Sequence, residues 1–175
     1  MRVAGIDPDT KSITVFVIED PPPPVETKDW LWFRLTASGA RAEDRFLNLV
    51  QQVRGVVEVP GHSEEPLAFL STCDYVYLER PFVGPNRKAA IDMGMVVGAI
   101  RAELDRAGVR HSLVDAAVWK TNMLGTSRVS KEEIKAWAMT RFHLSGTFIQ
   151  DVYDAATIAA YGLSRLTGGN GKRPL

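Results

Sequence analysis

Two apolar runs near the start of the chain, Val3–Ile6 and Ile13–Ile18, are separated by only the six residues DPDTKS. A connection that short returns the chain antiparallel to itself, because a parallel neighbour needs a crossover of a dozen residues or more. An antiparallel pair is therefore forced on any fold this chain adopts. A third run, DWLWFRLTA, alternates well enough to add a third antiparallel strand. Asp7 stands at the end of the first run, ahead of the turn proper. A carboxylate there gains nothing as core; it caps a turn or holds something positive.

Beyond the third strand the pattern changes. ARAEDRFLNLVQQVRGVVEV puts Phe46, Leu49, Val50 and Val53 on one helical face. DYVYLER is a short, β-rich apolar run that ends at Glu79 and reads as a buried strand. A helix is expected from about Arg87 to Ala107, a fifth strand in RHSLVDA, and a helical stretch over Ala116 to Met123. Ser130 with Glu133 forms a capping box for a helix through Phe142, and Thr147 with Gln150 a second box for a last helix, Phe148 to about Leu166. EDPPPP, PGHSEEP and PFVGPN read as loops. The order β-β-β-α-β-α-β-α-α-α describes an α/β protein: a mixed five-stranded sheet whose later strands enter in parallel through helical crossovers, with helices on both faces. Residues 1–166 form one domain, and 167–175 are expected to be a disordered tail.

The chain has 175 residues, enough for one sizeable core, and its 21 Lys plus Arg balance 21 Asp plus Glu. Zero net charge argues against a non-specific nucleic-acid coat protein, but an acidic metal site can cancel a basic binding face. The one cysteine, Cys73, excludes an internal disulfide and fits an intracellular, cytoplasmic setting. The first residues read as a strand, not a signal peptide, and no apolar run is long enough to span a membrane.

Four acids stand out. Asp7 and Glu79 each end a strand, and Asp151 and Asp154, three apart, share one face of the last helix. Taken singly, each has an ordinary explanation: a turn aspartate, a solvated strand end, helix-start carboxylates favoured by the macrodipole. Parallel, adjacent first and fourth strands would bring Asp7 and Glu79 to one edge, where the last helix can add its pair. Carboxylates converging without basic partners repel, and hard divalent cations relieve that repulsion. Two Mg²⁺ ions about 4 Å apart, held by such oxygens, are the arrangement that cleaves phosphodiesters. Mn²⁺ is expected to substitute.

These segments resemble the RuvC-type Holliday-junction resolvases of the RNase H-like superfamily. The first strand ends in GIDP (Gly5 to Pro8), a later one in ERPF (Glu79 to Phe82), and the final helix opens DVYDAATIAA (Asp151 to Ala160). Two lysines intervene, Lys120 before LGT and Lys131 at a helix start. The resemblance runs from about residue 3 to 165. It implies an RNase H-like fold and a metal-dependent, structure-selective endonuclease that resolves four-way or otherwise branched DNA by paired phosphodiester hydrolysis. Asp7, Glu79, Asp151 and Asp154 would be the metal ligands, Lys131 would stabilise charge at the scissile phosphate, and Lys120 would contact substrate phosphates. Phe82 matches a loop aromatic that stacks on unpaired bases; a loop residue folded onto the core is the other reading. Asp9 departs from the family, which has glycine there; it is a turn residue or an outer contact to a metal.

Arg87, Lys88 and Arg128 flank the proposed site loops as candidate phosphate contacts, or serve only as solubilising charge. Ala90, Gly94, Gly98 and Ala102 form a small-residue ridge on one helix. It packs against the chain's own sheet or, as the resemblance suggests, in a homodimer whose two-fold symmetry suits a four-way junction. Trp30, Trp32, Phe33 and Trp119 read as core rather than DNA contacts, and His62, His111 and His143 have no partner at metal spacing. Two other functions are open. One is a branched-DNA-binding dimer that no longer cuts. The other is an actin-like ATPase fragment, which GIDPDTKS imitates while lacking the phosphate-loop glycine such a site needs. The host is a bacterium or a phage-infected cell.

Overall fold

The computed structural model describes residues 1–21, 31–57, 70–82 and 84–168. The loops rich in proline and in Gly-His-Ser-Glu, Trp30, His62 and the last seven residues, most of the expected tail, lie outside the described residues. Five strands and five helices occur in the anticipated order. They are β1 (Arg2–Pro8), β2 (Ser12–Glu19), β3 (Trp32–Thr36), α1 (Ala42–Val57), β4 (Tyr75–Glu79), α2 (Arg87–Arg106), β5 (His111–Val114), α3 (Ala116–Leu124), α4 (Lys131–Phe142) and α5 (Gln150–Leu166).

One sheet runs β3-β2-β1-β4-β5. The short DPDTKS connection makes β1 and β2 antiparallel, from Arg2↔Glu19 to Pro8↔Ile13, and β3 adds to β2 in the same sense. The α1 and α2 crossovers make β4 parallel to β1 and β5 parallel to β4. The sheet has two covered faces because its strands alternate. Ala4, Ile6, Val15, Val76 and Leu78 pack with Leu49 and Val53 of α1 and with Val96, Ile100 and Leu104 of α2. Val3, Phe16, Ile18, Tyr77 and Val114 pack with α3, α4 and α5. Strand β3 splits its aromatics between the faces: Trp32 meets Phe148 edge to face, and Phe33 joins the α1–α2 side.

Helix α5 is the most deeply placed element. Val152, Tyr153, Ala155, Ala156, Ile158 and Ala159 are fully buried, and burying one isoleucine side chain stabilises by about 1.5–3 kcal/mol. Its small residues let it lie directly on β1. A Cβ on Gly5 would collide with the carbonyl oxygen of Ala155 and the backbone of Ala159. One on Gly162 would collide with the Tyr77 ring. Glycine in GIDP is thus required by the approach of a helix backbone, not by a turn.

Three expectations are corrected or decided. The Ser130–Glu133 capping box forms, but the Thr147–Gln150 box does not. Thr147 bonds to Ser145, Gln150 turns its amide onto Asp154, and α5 starts after Ile149 without a side-chain cap. The small-residue ridge does not pack on the sheet, because a Cβ at Gly94 or Gly98 would meet nothing within 4 Å. Phe82 is 85% exposed, so it is not folded onto the core.

Gly5→Val should therefore destabilise the protein by at least the roughly 1–3 kcal/mol of an overpacked core, since the obstacle is backbone that cannot rotate away. Urea unfolding measures this, and Gly94→Ala, which meets open space on a helix, should be neutral or mildly stabilising in the same assay.

Candidate metal centre

The last registered pair of the parallel β1–β4 ladder is Ile6↔Leu78. Asp7 and Glu79 are the next residues along these two neighbouring strands. Ile6 and Leu78 face α1 and α2, so alternation turns Asp7 and Glu79 to the α5 face. There α5 begins, and its first turns carry Asp151 and Asp154. The acids influence one another strongly. Burial pushes the Asp7 carboxyl well above its ordinary 3.8, and the charges of Asp154, Glu79, Asp151 and Asp9 push it further. Burial also raises Glu79; a hydrogen bond from Trp119 opposes this, Asp154 adds to it, and Lys120 opposes it. Asp154 is raised by burial against the Gln150 hydrogen bond and the charges of Lys120 and Lys131, with Asp151 adding to the rise.

The four acids and the two lysines picked out in the sequence thus act on one another through their charges. It also reveals what holds them. Trp119 Nε1 donates to Glu79 Oε2 at 2.8 Å, so this buried tryptophan is core by packing and an orienting group by its polar edge. Lys120 Nζ lies 5.2 Å from the centre of the same ring. Gln150 Nε2 donates to Asp154 Oδ1 at 3.0 Å, and Arg34 Nη2 pairs with Asp151 Oδ2 at 3.1 Å. Among the described residues, no side chain donates to Asp7.

Thr14 of β2 is the cross-strand partner of Asp7, and such partners project on the same face. Its hydroxyl is wholly buried and has no hydrogen-bond partner among the described residues. An orphaned hydroxyl beside an undonated carboxylate marks a polar spot built to take a ligand. The donor set is all oxygen and carries excess negative charge, which fits a hard divalent cation and not a soft one. No three of the described His, Cys, Asp and Glu side chains are yet gathered closely enough to hold a metal ion. Trp119, Arg34 and Gln150 each engage one oxygen of an acid, and none of these three contacts uses the acid's other oxygen.

The remaining candidates lie elsewhere. Lys88 is paired with Asp92 at 2.7 Å and lines a groove with Thr10, Lys11, Glu43, Phe46 and Met95 on the α1–α2 side. Arg87 and Arg128 are exposed at the start of α2 and between α3 and α4. Asp9 accepts from the backbone N–H of Thr10 at 2.7 Å, so it is a turn residue that also adds its charge to Asp7. His111 bonds to Val109 and Arg101, and His143 ends α4 in the left-handed conformation.

Sequence reasoning missed Arg34, Thr14, Gln150 and the polar role of Trp119. Only Arg34 left a signal, as a charge at an alternating position otherwise occupied by Trp32 on the face that packs against α5.

Two solved structures share this fold over nearly the whole chain. A Thermus thermophilus RuvC structure is 22% identical, with 96% of this chain and 97% of that chain covered and a TM-score of 0.72. T. thermophilus RuvC in complex with Holliday junction substrate is 20% identical, with 97% of each covered and a TM-score of 0.74. No protein-family model and no curated protein sequence matches the chain. The fold is that of these RuvC structures, a mixed five-stranded sheet with helices on both faces, as the motif resemblance implied. Among the described residues no helix is long and apolar enough to cross a membrane.

A carboxyl held above its ordinary value in the folded chain binds its proton more tightly there than in the unfolded chain. Its contribution to stability is present below the ordinary value and is lost as pH rises toward the raised one. Without divalent cations, Asp7→Asn should therefore unfold at a higher temperature than wild type at neutral pH, and the gap should close as pH falls toward 3.8. Magnesium should raise the wild-type midpoint and leave Asp7→Asn nearly unmoved. Calorimetric scans with EDTA and with Mg²⁺ read both effects.

Proposed function

We propose that the protein is a metal-dependent endonuclease that resolves four-way DNA junctions or related branched DNA. The observation that supports this reading is the charge coupling of buried Asp7 with Asp154, Glu79 and Asp151, in a fold shared with a RuvC in complex with Holliday junction substrate. Divalent cations bound there, Mg²⁺ or Mn²⁺ and up to two per site, would activate a water for attack and stabilise the leaving oxygen.

The chain's own residues do the rest. Asp7 offers undonated oxygens at the buried end of the site. Trp119 and Gln150 hold Glu79 and Asp154 in fixed orientations, so that little reorganisation is needed as charge develops. Lys131 and Lys120, both acting on Asp154, supply the positive charge that accepts a phosphodiester beside four acids. Water is the nucleophile, so no covalent enzyme intermediate forms, and the products carry 5′-phosphate and 3′-hydroxyl ends. Exposed Phe82, at the end of the strand segment that carries Glu79, is suited to stack on bases splayed at a branch point. Arg87 and Arg128 are offered as outlying phosphate contacts, whereas Lys88 is committed to Asp92.

The reading extends to a homodimer. The ridge of Gly94 and Gly98 is open, and Ile91 and Met95 beside it are 63% and 50% exposed. An apolar surface with a groove of missing side chains admits the same helix of a second copy, and two-fold symmetry presents two sites to two like strands. The expected setting is the cytoplasm of a bacterium or a phage-infected cell.

Cleavage of a synthetic four-way junction, compared with fork, flap and linear duplex in Mg²⁺ or Mn²⁺, tests the function. Wild type should nick the junction symmetrically and spare the duplex. Asp7→Asn should abolish nicking while junction binding in gel shifts persists, and Lys131→Ala should slow it roughly 10²-fold or more. Equal cleavage by Asp7→Asn would overturn the metal assignment. Gly98→Arg should shift the sedimentation profile from dimer to monomer while the circular-dichroism spectrum stays that of the folded chain.

A further inference from the structure

The sheet register sets a polar row across three strands. Arg34 of β3 is the partner of Thr14, and Thr14 is the partner of Asp7. All three side chains therefore rise on the α5 face, and Arg34 starts about 10 Å from Asp7, two strand spacings away. Arg34 Nη2 donates to Ser12 Oγ at 2.9 Å, and Ser12 is 1% exposed. The same nitrogen reaches Asp151 Oδ2 at 3.1 Å. Between the guanidinium and Asp7 lies the buried, unpartnered Thr14 hydroxyl. Lys120 and Lys131 act on Asp154 from α3 and α4, so Arg34 is the cation on the opposite, β2–β3 side of the cluster.

We infer that Arg34 is a positioning residue that occupies Asp151 and thereby sets how tightly the acidic cluster takes up divalent cations. This rests on the metal-site reading above. A guanidinium anchored at Ser12 and paired with one oxygen of Asp151 competes with any cation for that oxygen, and it repels the cation as a like charge. The site is therefore held below its full cation affinity, and Asp151 is its weakest ligand.

The test is calorimetric titration of Mn²⁺ into the DNA-free protein, with thermal unfolding of each variant as a check on folding. Arg34→Gln removes the charge and should bind Mn²⁺ about threefold more tightly, a modest factor because both side chains of the pair are about a third exposed and water screens it. Arg34→Lys keeps the charge and should stay near wild type. Ser12→Ala frees the guanidinium from its anchor and should fall between them. The Mg²⁺ concentration for half-maximal junction cleavage should drop in Arg34→Gln by the same factor as the binding constant. Unchanged or weaker Mn²⁺ binding in a folded Arg34→Gln would overturn the role given to Arg34 and leave the metal site standing. A wild type that binds Mn²⁺ no better than Asp7→Asn would overturn the metal site, and this inference with it.

Discussion

The contact between α5 and β1 is the constraint on which the molecule depends. At Gly5 the strand backbone and the helix backbone come so close that no side chain fits between them. That proximity results from three sequence choices acting together: glycine on the strand, alanines at 155 and 159 on the helix, and glycine again at 162 opposite Tyr77. Two residues beyond Gly5 the strand carries Asp7, and one turn before Ala155 the helix carries Asp151. A larger residue at the crossing would lift the helix and pull the acids apart. The packing of the core and the assembly of the site are thus one event.

The site so assembled works against the fold that makes it. Burial and mutual repulsion raise Asp7, Glu79 and Asp154 above ordinary carboxylate values, which means that each ionised form is disfavoured where it stands. The surrounding polar groups are arranged to contain that strain. Trp119 and Gln150 donate to Glu79 and Asp154, Lys120 and Lys131 supply charge, and Arg34 takes Asp151. Asp7 alone of the acids has no donor among the described residues, and it faces the orphan hydroxyl of Thr14. On the reading proposed above, the energy that disfavours the ionised acids is also the energy that would favour cation binding among them.

Much of the architecture could be read along the chain because its causes are local. The short DPDTKS turn dictates one antiparallel pair, and alternating or helical periods mark the remaining elements to within a few residues. The Ser130–Glu133 box could be recognised because both of its bonds join residues three apart. The Thr147–Gln150 box has the same spelling and does not form, because α5 begins at Gln150, which puts Ile149 and not Thr147 at the N-cap position. The ridge of small residues on α2 was equally ambiguous. Its composition says that something can approach closely, and only the fold shows that the chain's own sheet does not.

What the sequence determined by itself was the order of elements along the chain and the positions of the candidate acids, near strand ends and at a helix start; that the first and fourth strands lie side by side came from the structure. Element order and acid positions depend on spacing and period, which are one-dimensional. The tertiary structure decided which groups the acids would touch. Arg34 reaches Asp151 across more than a hundred residues, and Trp119 reaches Glu79 across forty. Such pairings follow from the register of strands and the rotation of helices about their axes. A shift of one residue in register would send Arg34 to the opposite face and leave every local sequence signal unchanged.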